Sequence, residues 1–312
     1  MSEAAEGTSV PVIIAVAGNI ASTKTSVLRR LRKELRLEFP DTEVDLLEEP
    51  IHEWNHKENG RTLSDLEASY VLPYGCSFPF QVKVSNWQDR MAREIGRKER
   101  DPEESFAVNF GEKDCHLLTQ RGEVSQARPR IVLIERTTED GAMVFVPLKC
   151  AEGNFSGMAV EAFHEMVQNG YGIVPDLVVY LQSTPEDCFR RKQRRAREGE
   201  GGVNIEFLAR LDKRYQVLRE KYRREVPDNI LELSPEDHDS RDGVKEEKRK
   251  LSQRVVQFLR EKPRLLSYRT GFSSPSWDAS PYDLKDASKQ EEEEVVERKK
   301  LCNCREGEEV SL

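Results

Sequence analysis

No stretch of this 312-residue chain approaches the ~18 consecutive apolar residues of a membrane-spanning helix, so no membrane association is expected. There is no excess of positive charge either. The formal net charge of −8 argues against nucleic acid as a partner, although a local basic cluster could still grip phosphates. Cysteine is sparse: Cys76, Cys115, Cys150 and Cys188 stand singly, as suits reduced thiols in an intracellular protein. Cys302 and Cys304, in "CNC", are too few ligands for a zinc site. The opening "MSEAAEGTSV" has neither the apolar core of a secretory signal nor the arginines of a transit peptide, so a cytoplasmic location is the expectation. No internal repeat is visible.

What is present is a soluble α/β pattern. Hydrophobic residues make up 37% and charged residues 34%, and the length suits one large domain or two small ones, with part of the chain unfolded. Residues 10–17 (VPVIIAVA) are a continuous apolar run, the mark of a strand buried on both faces. "TSVLRRLRKELRLEF" then reads as a helix ending before Pro40, and "TEVDLLEEP" as a second strand. Further strands are expected at 130–135, 175–182 and 229–233, and helices at 80–97, 156–169, 185–198, 204–224 and 243–261. This alternation predicts a parallel sheet covered by helices on both faces. Residues 1–9 read as a flexible N-terminus, the polar segment 98–128 as a loop insertion, and 266–312, with "KQEEEEVVERKK", as a disordered acidic tail. The folded domain is expected over 10–265.

Between the first strand and helix lies "AGNIASTKTS", residues Gly18, Asn19, Ile20, Ala21, Ser22, Thr23, Lys24, Thr25 and Ser26 among them. Gly18, Lys24 and Thr25 keep the spacing of a phosphate-binding loop, in which backbone N–H groups and a helix N-terminus cradle phosphates. Lysine would then reach the β/γ-phosphates and the hydroxyl would ligate Mg²⁺. The pattern wants glycine where Thr23 stands, and positive φ at that position would strain a residue with a Cβ by about 1–3 kcal/mol. From these residues alone, an ordinary buried strand and helix with a chance lysine remains open.

Four more stretches follow in order: "LLEEPIHEW", "YVLPYGCSFPFQ", "IERTTEDGAMVF" and "YLQSTPEDCFRRKQRRAREGE". On a phosphate-loop scaffold, residues 10–235 resemble the deoxyribonucleoside kinases of the deoxycytidine, deoxyguanosine and thymidine type. The resemblance implies a P-loop kinase fold with a parallel five-stranded sheet flanked by helices and an arginine-rich lid. It also implies transfer of the γ-phosphate of ATP, with Mg²⁺, to the 5′-hydroxyl of a deoxynucleoside, and a homodimer. Matched by motif, Glu49 is the general base, with Glu48 a rival that only geometry can exclude. Glu135 would hold Mg²⁺ directly or through water, and Arg136 would fix Glu49 and the 5′-oxygen. Arg191, Arg195 and Arg197 are the lid arginines on the transferring phosphoryl group. Glu200 with Tyr70 would hold the sugar 3′-hydroxyl, although Gly199 departs from the family's usual acidic residue.

The same register implies a base pocket. Gln81 would read the base edge, Phe145 would stack on the base, and Phe80 and Trp54 would form the other walls. Gln88 and Gly141 fall where deoxycytidine and deoxyguanosine kinases have an arginine and an aspartate, with Val84 between Gln81 and Gln88. Loss of that charged pair predicts a thymidine-like or broad pyrimidine preference. Two other readings stand beside this one. An inactive structural or regulatory subunit finds its support in Thr23, the insertion and the tail. A nucleoside monophosphate kinase would need extra cations where "EEP" supplies acids.

Overall fold

The structure is a computed structural model describing residues 11–57, 61–100, 130–169, 173, 175–234 and 245–261. Five strands, β1 (Val12–Ala17), β2 (Glu43–Leu47), β3 (Arg130–Glu135), β4 (Leu177–Leu181) and β5 (Ile230–Leu233), make one sheet in the order β2-β3-β1-β4-β5. Every neighbouring pair is parallel, so all five carboxyl ends share one edge. Ligands of open α/β sheets bind at that edge.

The helices are α1 (Lys24–Glu38), α2 (Ile51–Trp54), α3 (Asp65–Val71), α4 (Pro73–Arg100), α5 (Val146–Ala151), α6 (Gly157–Asn169), α7 (Pro185–Arg195), α8 (Ile205–Glu225) and α9 (Lys245–Glu261). A π-helical turn at Asp140–Phe145 leads into α5, and a 3-10 turn at Pro227–Asn229 precedes β5. Successive strand residues point to opposite faces, which divides the core. Ile14, Val16, Ile131, Leu133, Leu177 and Val179 pack under α1 and α9 through Leu28, Leu31, Leu35, Val255 and Leu259. On the other face, Ala15, Val132 and Ile134 meet Ile95 of α4. Val178 and Tyr180 meet Phe207, Leu208 and Leu211 of α8. Both faces of the inner strands are apolar, which is why β1, β3 and β4 read as continuous runs.

Helix starts are set by side-chain caps. The hydroxyls of Ser64 and Thr184 and the amide oxygen of Asn204 accept from the backbone N–H three residues on, opening α3, α7 and α8. Several bounds differ from the sequence expectation. α7 stops at Arg195 rather than 198 because Ala196 turns left-handed at φ 46. α4 begins at Pro73, not 80, and carries Pro79 inside it. It also continues through residues 98–100, the expected start of the insertion. The remainder of that insertion, residues 1–9, the tail 266–312 and the Cys302/Cys304 pair lie outside the described residues. Among the described residues no helix is long and apolar enough to cross a membrane.

Candidate active site

The loop after β1 is held in the form that phosphate binding needs. Gly18 has φ 145, and a Cβ there would sit 2.9 Å from the Leu181 carbonyl oxygen, so no larger residue fits. Ala21 at φ 60 and Thr23 at φ 72 turn the backbone left-handed although neither is glycine. The strain foreseen at Thr23 is therefore present. Asn19 pins the loop from behind: its buried Nδ2 donates to Leu208 O at 3.0 Å, while Oδ1 accepts from Ile20 N at 2.8 Å. Lys24 Nζ donates to the carbonyls of Gly18 and Asn19 at 3.1 and 2.8 Å. Burial, followed by the charge of Arg136, lowers the Lys24 pKa to about 8.

β3 delivers Glu135 to the foot of this loop, where Thr25 Oγ1 donates to Glu135 Oε2 at 2.7 Å. A hydroxyl and a carboxylate so close are hard oxygen donors of the kind Mg²⁺ takes alongside phosphate oxygens. Among the described residues no three His, Cys, Asp or Glu side chains gather to cage a metal alone. The residues therefore fit an ion shared with a bound phosphate.

The next residue, Arg136, has φ 64, and this left-handed turn swings its guanidinium across to β2's end. Arg136 Nη1 donates to Glu49 Oε1 at 2.8 Å, with the two side chains 15% and 6% exposed. Burial raises the Glu49 pKa, and Arg136 partly offsets this. Burial works against the Arg136 charge, yet Glu49 and its neighbours hold its pKa well above the ordinary value. Glu48, one residue earlier, faces elsewhere. Its carboxylate takes Nε and Nη2 of Arg29 at 2.6 Å each on the exposed flank. Geometry thus separates the two acids that the sequence left open.

The lid closes from the opposite side. Arg191 Nη1 donates to Ala21 O at 3.2 Å, tying α7 to the phosphate loop. Arg195 Nη2 grips both oxygens of the buried Glu200 at 2.5 and 2.6 Å, and Arg197 Nη1 lies 3.5 Å from Oε1. Tyr70 packs edge-on against Phe207 at 5.7 Å, and burial pushes its phenol pKa up. Deeper in, Trp54 meets Phe80 and Trp87 edge-on at 5.5 and 6.1 Å. Gln81 and Gln88 are 7% and 3% exposed, and Gln88 Oε1 has no hydrogen-bond partner.

These groups surround one hollow of about 390 Å³. It is lined by every expected site residue except Gly18 and Asn19: Ile20, Ala21, Ser22, Thr23, Lys24, Thr25, Ser26, Glu49, Trp54, Tyr70, Phe80, Gln81, Val84, Gln88, Glu135, Arg136, Gly141, Phe145, Arg191, Arg195, Arg197 and Glu200. Gly18 and Asn19 stand behind the loop, one against Leu181 and the other against α8. The hollow also has walls that the sequence reading did not name: Arg29, Ile51, Leu66, Ser69, Ser77 and Lys149. Helical spacing marks three of them, since Arg29, Lys149 and Ser77 lie four residues from Thr25, Phe145 and Gln81. Lys149 Nζ pairs with Glu152 at 2.9 Å and lies 4.7 Å from the Phe207 ring centre.

A sequence model described as deoxynucleoside kinase matches residues 14–260. The chain belongs to that family. Among similar proteins, the thymidine kinase of Ictalurid herpesvirus 1 (strain Auburn) is 26% identical over 239 residues, covering 71% of this chain and 85% of that one. The deoxycytidine kinase of Homo sapiens is 24% identical over 284 residues, covering 83% and 94%. In fold, the deoxynucleoside kinase described here is similar to a deoxyadenosine kinase from M. mycoides solved with dCMP and dCDP. The TM-score is 0.54 at 13% identity, covering 80% of this chain and 100% of that one. The fold is thus that of a P-loop kinase.

Proposed function

We propose that this kinase moves the γ-phosphate of ATP to the 5′-hydroxyl of a pyrimidine deoxynucleoside. The observation that carries the proposal is the Arg136–Glu49 pair at 2.8 Å, set in the same hollow as Lys24 and the phosphate loop. A buried carboxylate with a raised pKa is a stronger proton acceptor than a solvated one, and Arg136 aims it. Glu49 takes the 5′-hydroxyl proton, while Lys24 and the N–H groups of Ile20 to Ser26 hold the donor phosphates. Arg191, Arg195 and Arg197 surround the phosphoryl group in flight, a role worth roughly 10³–10⁵ in rate where measured. Thr25 and Glu135 would hold Mg²⁺, whose chemistry is to neutralise the phosphate charge. Tyr70 and Glu200 hold the sugar.

The base preference rests on the pocket floor. Gln88 offers a buried acceptor oxygen without a partner, suited to a base N–H, and Gly141, which also lines the hollow, has no side chain. One amide and one glycine in place of the charged pair, Gln88 and Gly141, leave room for a 5-methyl group. A homodimer and a cytoplasmic location complete the proposal. It is tested by kcat/KM for the four deoxynucleosides with ATP·Mg²⁺, in wild type and Gln88→Ala. The expected result is transfer favouring thymidine or deoxycytidine, reduced about 5- to 50-fold in the variant by loss of one buried hydrogen bond. Strong purine preference refutes the base assignment, and no turnover with any nucleoside refutes the kinase roles.

A further inference from the structure

One contact of the lid lies apart from the phosphate and base walls. Gly199 follows α7 in the left-handed region at φ 84. A Cβ there would lie 2.2 Å from Asn55 Oδ1 and 3.4 Å from Leu66 Cδ2, and the first distance is impossible. The neighbour that leaves no room also makes the bond. Asn55 Nδ2 donates to the Glu198 carbonyl at 2.8 Å, and its Oδ1 accepts from Ser64 Oγ at 3.4 Å. Ser64 is the cap of α3, so the amide joins the lid to the helix that carries Tyr70. Gly202 repeats the pattern on the other flank, where a Cβ would stand 2.7 Å from Tyr70 Cβ. Between these two glycines Glu200 enters the hollow, 5% exposed and gripped by Arg195.

We infer that Asn55 is a positioning residue of this kinase: its amide docks the lid backbone at Glu198, through the gap left by Gly199, and so sets the depth at which Glu200 and its arginines meet the substrate. The inference rests on the roles proposed above for those lid residues. Asn55 touches no reacting atom and lies outside the lining of the hollow. A side chain only two rotatable bonds long, fixed at both ends of its amide, can set that position within narrow limits.

The test uses the full chain with Asn55→Ala, Asn55→Asp, Gly199→Ala and the Asn55→Ala/Gly199→Ala double variant. Hydrogen exchange of amides 196–203 is read without ligands, beside Tm, kcat, and KM for deoxynucleoside and for ATP. Loss of one such hydrogen bond should speed lid exchange and raise the deoxynucleoside KM roughly 3- to 10-fold, with ATP KM and Tm little changed. Asn55→Asp, the same shape without the N–H donor, should match Asn55→Ala. Gly199→Ala should be worse than either. The double variant should be better than the product of the singles, because removing the amide frees space for the new methyl. Multiplicative effects, an Asn55→Asp that behaves as wild type, or faster lid exchange with unchanged kcat and KM would each overturn the inference. Faster lid exchange in a chain whose wild type phosphorylates no deoxynucleoside would support the docking and overturn the assignment of function instead.

Discussion

Thr23 is the one position where the phosphate loop departs from its pattern, and the structure lets the consequence be worked out. Its backbone sits at φ 72, ψ 13, as N-cap of α1 with no side-chain cap bond. A residue with a Cβ in this region is disfavoured by about 1–2 kcal/mol, and a β-branched one is a genuine outlier. Glycine would remove that strain but lose more chain freedom on folding, an opposing effect of about 0.5–1 kcal/mol. Thr23→Gly should therefore be more stable than Thr23→Ala, which also loses the threonine's own contacts, by about 0.5–1 kcal/mol. In a domain of this size each kcal/mol corresponds to about 2–4 °C in Tm. Thr23→Ala is the control, since it discards the hydroxyl and methyl but keeps the Cβ and hence the strain. Thermal unfolding of the three proteins without nucleotide should rank Gly above Ala. A Gly variant no more stable than Ala would show that φ at residue 23 is not strained in solution, and the reasoning would fail. The effect on catalysis should be smaller than the missing glycine suggests, because the left-handed turn is already made. A gain of about 1 kcal/mol changes kcat/KM for ATP by no more than about five-fold. A larger rise would mean that threonine keeps the loop from forming.

Other perturbations follow from the same geometry. Glu49→Gln should lower kcat by ~10²–10⁴ while deoxynucleoside binding, read by titration calorimetry, persists. Because burial raises the Glu49 pKa, the ionised form is lost on acidification sooner than for a solvated glutamate, so wild-type kcat should fall on the acid side at a pH above the ordinary glutamate range. Lys24, lowered to about 8 by burial, is mostly charged at neutral pH and loses its proton as pH rises through that value. Bound phosphates favour the charged form, so ATP affinity should drop roughly ten-fold from pH 7 to pH 9, and a flat profile would contradict the placement of Lys24. Away from the site, Arg130 Nε and Nη2 meet Asp45 Oδ2 at 2.8 and 2.5 Å across β2 and β3. Asp45→Ala strands that arginine and should cost about 3 kcal/mol in denaturant unfolding without changing kcat.

The middle of the sheet was legible because β1, β3 and β4 are buried on both faces and are almost wholly apolar. Leu177 to Leu181 is wholly buried and reads as such. α2, α3 and the π turn were not legible from periodicity, being too short to show a face, although "SDLE" carries a cap signature at Ser64 and Glu67. Within the site, Lys24–Thr25 and Glu135–Arg136 could be found because each follows an apolar strand. Glu49 was preferred to Glu48 by motif match alone; the residues themselves do not decide, since consecutive residues turn to opposite sides and Arg29 and Arg136 set which acid faces inward. The left-handed turns at Ala21 and Arg136 left no trace either. Glycine would have announced them, but the surrounding packing imposes them on residues that resist.

That resistance bears on whether the chain is a working enzyme or an inert subunit. Lys24, Glu135, Asp140, Arg191 and Glu200 are each 8% exposed or less, and Arg136 stands in a disfavoured backbone region. Behind Arg136, Tyr215 and Asp140 lie near enough to shift each other's protonation. Beside them, the buried Arg136 Nε has no hydrogen-bond partner among the described residues. A buried polar atom left so costs about 1–3 kcal/mol. A purely structural subunit would be more stable with leucines and phenylalanines in these places, and nothing in folding would oppose the change. The unfavourable groups are not scattered; they gather around the guanidinium that holds Glu49. Instability concentrated around the Arg136–Glu49 pair suits the site of a kinase better than a scaffold.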